Sequence, residues 1–239
     1  KEVKLNGLTL DDTKFVTTKD RFTLYAPTQK FELEITTIIK PHENKSFSGL
    51  YKTKTIYCTQ MEAQGFRKVT YFFDRPDVLS KYTTTIKADK KKFPILLSNG
   101  DCTSRTDLAD GYHQVEWMDP FPKSCYLFAL VAGDLGVIKD SYKTKSGKDV
   151  ALEIYTDKGN EPRCQHAMTS LIESMKWDED TYGLEYDINT YMIVAVEDFK
   201  MGAMENKGLN IFNDKFWTSQ NLVVNAVDNR KARLYIDSK

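Results

Sequence analysis

The chain has 239 residues, 41% of them hydrophobic and 28% charged, with 34 basic side chains balanced by 34 acidic ones. That is the composition of an ordinary globular protein with a core of its own, and zero net charge argues against a nucleic-acid scaffold or a binder of acidic membranes, which carry a basic excess. Apolar runs such as Cys125 to Gly133 are far too short to span a bilayer, and no charged-then-apolar opening reads as a secretory signal.

Residues 1 to about 132 read as strands separated by turns. "FELEITTII" alternates Phe31, Leu33 and Ile35 with polar partners, "RKVTYFFDRPD" is aromatic and β-branched with a strand expected near Val69, and "KYTTTIKAD" alternates again. "FPILLSNGDCTS" runs into Asn99-Gly100, the strongest short hairpin signal in the chain. "GYHQVEWMDP" and "CYLFALVAGD" add two more candidate strands. Nothing here has sustained helical periodicity, so an antiparallel, all-β domain is expected.

After Gly133-Asp134 the texture changes. A hairpin turns at Ser146-Gly147, and then comes the clearest helix. Asn160 is a candidate cap, Pro162 suits a first turn, Met168, Leu171, Ile172 and Met175 fall on one face, and Gly183 is a plausible stop. "NTYMIVAVEDF" follows as a nearly continuous apolar strand of the kind buried on both faces. The reading is a mainly β domain over residues 1–134, followed by the start of a mixed α/β or α+β domain over 135–239. No linker separates the two parts, so they are expected to pack together.

Metal-ligand patterns are the first chemistry to weigh. His42-Glu43 has Ser46 where a second histidine would be needed to bring two imidazoles to one helix face. His113 lies in a strand-like alternation and His166 near the start of the helix, and Cys164-x-His166 is a lone pair. Cys58, Cys102, Cys125 and Cys164 are irregularly spaced without any C-x-x-C, which reads as free thiols in a reducing compartment rather than a disulfide framework or zinc knuckle. No metal ligand and no catalytic residue is assigned within the chain.

Two carboxylates stand in odd places. Glu62 interrupts "YCTQMEAQGFR", and Glu205 sits in the turn of "MIVAVEDFKMGAMENKGLNIF". Each reads either as a solvated turn residue or as one of two carboxylates facing a cleft, where a cationic group such as a peptide's α-ammonium would be held. Gly202-Ala203 reads either as a plain glycine turn or as a place where an extended peptide approaches the backbone. Composition and spacing leave both questions open.

"MGAMENKGLNIFN" (201 to 213) resembles the G-A-M-E-N exopeptidase signature of the M1 family of zinc aminopeptidases. "YCTQMEAQGFRKVTYFFDRPDVLSKY", "KKFPILLSNGD", "DPFPKSCYLFALVAGDLGV", "MTSLIESMKWDEDTYGLEYD" and "YMIVAVEDF" resemble further segments of that family, in order, from roughly residue 30 to residue 216, with the fit nearest its bacterial-type alanyl aminopeptidase branch. The resemblance implies an antiparallel, saddle-like N-terminal sheet and the beginning of a thermolysin-like catalytic domain. It implies that Glu205 binds the substrate's free α-amino group with Glu62 as its partner. Gln60 and Met201 would line the pocket for the first side chain, and the Gly202-Ala203 backbone would hold the peptide extended. Members with epoxide-hydrolase activity typically carry Gly at the position of Ala203.

The same resemblance implies one zinc ion, held by an H-E-x-x-H helix that would lie downstream of Lys239, with the general base and an oxyanion-stabilising tyrosine also outside the chain. The segment 217–239 departs from the family pattern. The expectation is therefore an internal piece of a larger cytoplasmic, monomeric enzyme, incomplete at its start and inactive alone. Its partners are peptides with a free N-terminus, with neither nucleic acid nor membrane expected. A non-catalytic module that binds peptide N-termini is the rival from a different class, and a purely structural β domain is a third.

Overall fold

The computed structural model describes residues 2–18, 21–25, 30–197, 199 and 201–215. The segment 217–239 lies outside them.

Alternation in the first half produces antiparallel sheets. The strand Tyr112–Ser124 lies between Leu79–Asp89 and Asp101–Asp107, pairing antiparallel with both. A four-stranded antiparallel sheet takes the order Gly49–Lys52, Tyr57–Gln60, Leu130–Gly133, Ile95–Ser98. Nearer the N-terminus, Glu2–Leu5 sits between Leu8–Thr9 and Leu33–Thr36, and Phe15–Thr17 pairs with Phe22–Leu24. Alternation decides which side chains enter the core: Ile86, Val115 and Trp117 point inward, and the Trp117 Nε1–H donates to Leu96 O at 3.1 Å, joining the two larger sheets.

Two expected elements differ. Asn99-Gly100 does not close a hairpin, because the strand before it and the strand after it belong to different sheets. Gly100 still meets the positive-φ requirement of a turn (φ 90°), and a Cβ there would stand 2.1 Å from Met118 O, so the position admits only glycine. The aromatic run after Arg67 is not a strand either. Phe66–Lys68 forms a 3-10 turn, and Arg67 bonds Asp74 through its backbone N–H, Nε and Nη2. Those local bonds satisfy groups that a sheet would otherwise pair, and Phe66 and Phe72 pack with Tyr82 and Phe128 instead. Part of "CYLFALVAGD" is likewise a 3-10 turn, Cys125–Leu127, before the strand begins at Leu130.

The chain leaves the four-stranded sheet at Gly133 and enters a five-stranded one at Leu135. The order there is Leu135–Lys143, Asp149–Asp157, Thr190–Val196, Leu209–Asn213, Ala203–Met204. Thr190–Val196 runs parallel to both neighbours, while each edge pair is antiparallel. A helix, Gln165–Tyr182, makes the crossover between Asp149–Asp157 and Thr190–Val196. It begins later than the Asn160 signal suggested. Asn160 instead opens a 3-10 turn, Glu161–Cys164, that contains Pro162, and its side chain makes no cap bond. Gly183 ends the helix in the left-handed conformation.

Thr190–Val196 is buried on both faces, and the two faces serve different cores. Tyr191 and Ile193, with Leu152, Ile154 and Phe212, pack under Met168, Leu171 and Met175 of the helix. Met192, Val194 and Val196, with Leu209, Ile211 and Met204, join Tyr51, Ile56, Cys58, Leu97 and Val131 of the β part in one continuous core. This shared core fixes the five-stranded sheet against the four-stranded one and sets up the seam described next.

Candidate functional site

The candidate site lies at the end of the five-stranded sheet. Ala203 pairs with Phe212 and Met204 with Ile211, and residues 205–208 connect the two strands. The Leu209 N–H closes this connection on Asn206 O at 3.0 Å, and Gly208 supplies the positive φ (76°) that the return needs. Asn213 N–H donates to Gly202 O at 3.0 Å, extending the pairing one residue past the strand. Alternation then sorts the side chains: Ala203 is exposed, Met204 is driven into the shared core at 1% exposure, and Glu205 is half-buried with its Oε1 shut off from solvent.

This loop is docked on the β part. Gln60, the last residue of the strand Tyr57–Gln60, places its Nε2 3.9 Å from Met204 Sδ, while its Oε1 is buried without a hydrogen-bond partner among the described residues. Asn206 is buried and donates from Nδ2 to Phe128 O at 3.3 Å. The Phe128 ring packs on the cluster that contains Met61. The residue before Glu62 and the residue after Glu205 thus belong to one patch of structure. Glu62 is exposed, as are Met201, Gly202 and Ala203.

The loop's lysine is held as well. Lys207 Nζ pairs with Asp187 Oδ2 at 2.7 Å and lies 4.5 Å from the centre of the Phe121 ring. With that cation occupied, the buried Gln60 and Glu205 Oε1 atoms place acceptors at the loop and at the strand end.

Sequence reasoning missed Met204, Asn99 and Lys207 as parts of this assembly. Met204 carried a weak signal, since it alternates with Ala203 and Glu205. Asn99 carried a misleading one, because Asn-Gly reads as a hairpin. Nothing local marks Lys207.

Among the described residues no group of three or more His, Cys, Asp or Glu is placed to hold a metal ion. His113 is buried and its Nε2 lies 2.7 Å from Phe93 O, His42 is in an exposed 3-10 turn, and His166 is exposed near the start of the helix. The described residues therefore do not fit a zinc ion. The four cysteines are free, three of them buried. Burial pushes the Cys58 thiol up to about 12, against an opposing hydrogen bond from Tyr51, and burial together with the Asp74 carboxylate does the same for Cys125; such thiols stay protonated and unreactive. No helix among the described residues is long and apolar enough to cross a membrane.

Comparison with known proteins gives two family matches: the Peptidase M1 N-terminal domain over residues 1–127 and the Peptidase family M1 domain over residues 166–236. The chain is 58% identical over 188 residues to aminopeptidase N of Escherichia coli (strain K12), covering 79% of this chain and 22% of that protein. It is 60% identical over 187 residues to aminopeptidase N of Haemophilus influenzae, covering 78% and 22%. The crystal structure of Legionella pneumophila aminopeptidase A in complex with aspartic acid superposes with a TM-score of 0.85 at 38% identity, over 89% of this chain and 25% of that one. The chain thus spans about a quarter or less of the length of these relatives.

Proposed function

The chain belongs to peptidase family M1, and from that premise we propose that it is the substrate-recognition portion of a zinc-dependent aminopeptidase, binding the free α-amino group and first side chain of a peptide. In this reading residues 1–134 are the N-terminal β domain and residues 135–239 the beginning of the catalytic domain. The observation that carries it is the docking of the Glu205 loop on the strand end that leads to Glu62, through the Gln60–Met204 contact and the Asn206–Phe128 bond.

The physical argument is one of length. An ammonium held between the Glu62 and Glu205 carboxylates, with Gln60 Oε1 as a further acceptor, fixes the peptide's first residue, and the scissile bond then lies one residue away. Met201 and Gln60 would border the first side chain, the thioether adapting its shape to different residues. The exposed edge Gly202-Ala203 would align the peptide backbone as an added strand. The metal and its general base would come from outside the described residues, so the role proposed here is recognition alone, and the chain by itself should release no amino acid from a peptide.

Glu205→Gln and Glu62→Gln test this directly, since each keeps the shape and removes the charge. Each is expected to weaken binding of alaninamide, a minimal free-amine probe, at least tenfold, about 1.4 kcal/mol. Unchanged affinity in both variants would sink the reading and leave these residues as solvated turn carboxylates.

A further inference from the structure

Asn99 is 2% exposed and directs its whole side chain at backbone groups. Its Nδ2 donates to Leu127 O at 3.1 Å and to Lys207 O at 2.8 Å, and its Oδ1 accepts the Ala129 N–H at 2.7 Å. Leu127 and Ala129 flank Phe128, whose carbonyl accepts from Asn206. One amide therefore joins the segment 127–129 of the β part to the carbonyl two residues beyond Glu205. The turn that carries Asn99 also meets the signature loop backbone to backbone, since a Cβ on Gly208 would stand 3.3 Å from the Gly100 nitrogen.

The bonds inside the hairpin fix its shape. The bonds from Asn99 and Asn206 fix its place relative to Gln60 and Glu62. We propose that Asn99 is the positioning residue of the recognition loop: it holds Lys207, and through Lys207 the Glu205 carboxylate, in register with the strand end that leads to Glu62. This rests on the role given to Glu205 above. An amide is the small side chain that offers two donors and an acceptor from one planar head. A hydroxyl offers a single donor, and a carboxylate offers none and would face two carbonyl oxygens.

The test reads the loop and the ligand separately. Hydrogen exchange at the Leu209 amide, which closes the loop on Asn206 O, reports the loop; an alaninamide titration reports the site. Asn99→Ala is expected to speed Leu209 exchange at least tenfold and to weaken alaninamide at least tenfold. Thr59→Val is the comparison, because Thr59 Oγ1 accepts the Leu130 N–H at 2.9 Å in the same four-stranded sheet and bonds within that sheet instead of to residues 205–208; it should change neither readout. Asn99→Asp adds a rescue: it keeps the acceptor for Ala129 and regains a donor only when protonated. Its Leu209 protection, relative to the unsubstituted chain at the same pH, should rise as pH falls.

Unchanged Leu209 exchange in Asn99→Ala, or Thr59→Val reproducing both effects, overturns the proposal. If Asn99→Ala does not fold, a protection ratio in Asn99→Asp that stays flat with pH overturns it. An unsubstituted chain that fails to bind alaninamide, while Leu209 exchange still accelerates in Asn99→Ala, would refute the amine-recognition reading and support the positioning role.

Discussion

Asp178 shows how much one side chain can cost. It lies on the helix at 2% exposure, and burial raises its carboxyl from 3.8 to about 6. In the unfolded chain the group ionises near its ordinary value, so between about pH 4 and 6 folding takes up a proton and stability falls as pH rises. Below that window both states are protonated and the cost vanishes; above it both are ionised and the cost is constant, at most about 3 kcal/mol for a shift of this size. Asp178→Asn should therefore raise the urea midpoint at about pH 7.5 and leave it unchanged near pH 2.5. An equal gain at both pH values would show that the carboxylate's charge is not what the buried site resists.

At this scale little of the candidate site was legible from the residues alone. Glu62 and Glu205 stood out as carboxylates in unusual surroundings, but whether they faced one cleft depended on contacts between residues more than a hundred positions apart, such as Gln60 with Met204. Local pattern does not encode such pairings. The signature at 201–213 suggested by resemblance what spacing could not. Asn99 escaped both routes, because its role lies in three long-range backbone partners.

At the scale of elements, legibility followed periodicity. The helix face Met168, Leu171, Met175 and the doubly buried strand Thr190–Val196 read correctly because their side-chain patterns match their environments on both sides. The segment after Arg67 misread as a strand because its aromatic content suits a sheet, while the Arg67–Asp74 bonds that hold it as a compact turn involve local side chains that propensity ignores. Asn99-Gly100 supplied the turn geometry expected of it but joined strands of different sheets, since a turn signal fixes local conformation and not the pairing of its flanks. The helix also carries the clearest packing prediction. Leu171 is fully buried between the helix and the sheet, so Leu171→Ala should cost about 2–5 kcal/mol through lost burial and the cavity left behind. The urea midpoint measures this; a change below about 1 kcal/mol would mean that the helix does not cover the sheet as described.

At the scale of the molecule, the two parts are one folding problem. Residues of the four-stranded sheet and of the five-stranded sheet share a single core, so the seam between Gln60 and Met204 is held by buried apolar surface and not by a tether. That rigidity suits a site whose proposed task is to measure distance from a peptide's N-terminus, because the two carboxylates can set a fixed length only if their supports do not move relative to each other. The change of sheet at Asp134 was visible as a change of texture, whereas the shared core was not, because it pairs residues from both halves of the chain.

The Glu205 seam should recognise a free α-ammonium with no metal present. An NMR titration of the chain with alaninamide and with N-acetylalaninamide, both in the presence of EDTA, tests it most directly. Saturable shifts are expected around Gln60, Glu62 and Met204 to Lys207 with the free amine and none with the acetylated compound. Equal responses to the two compounds, or no response to either, would contradict it.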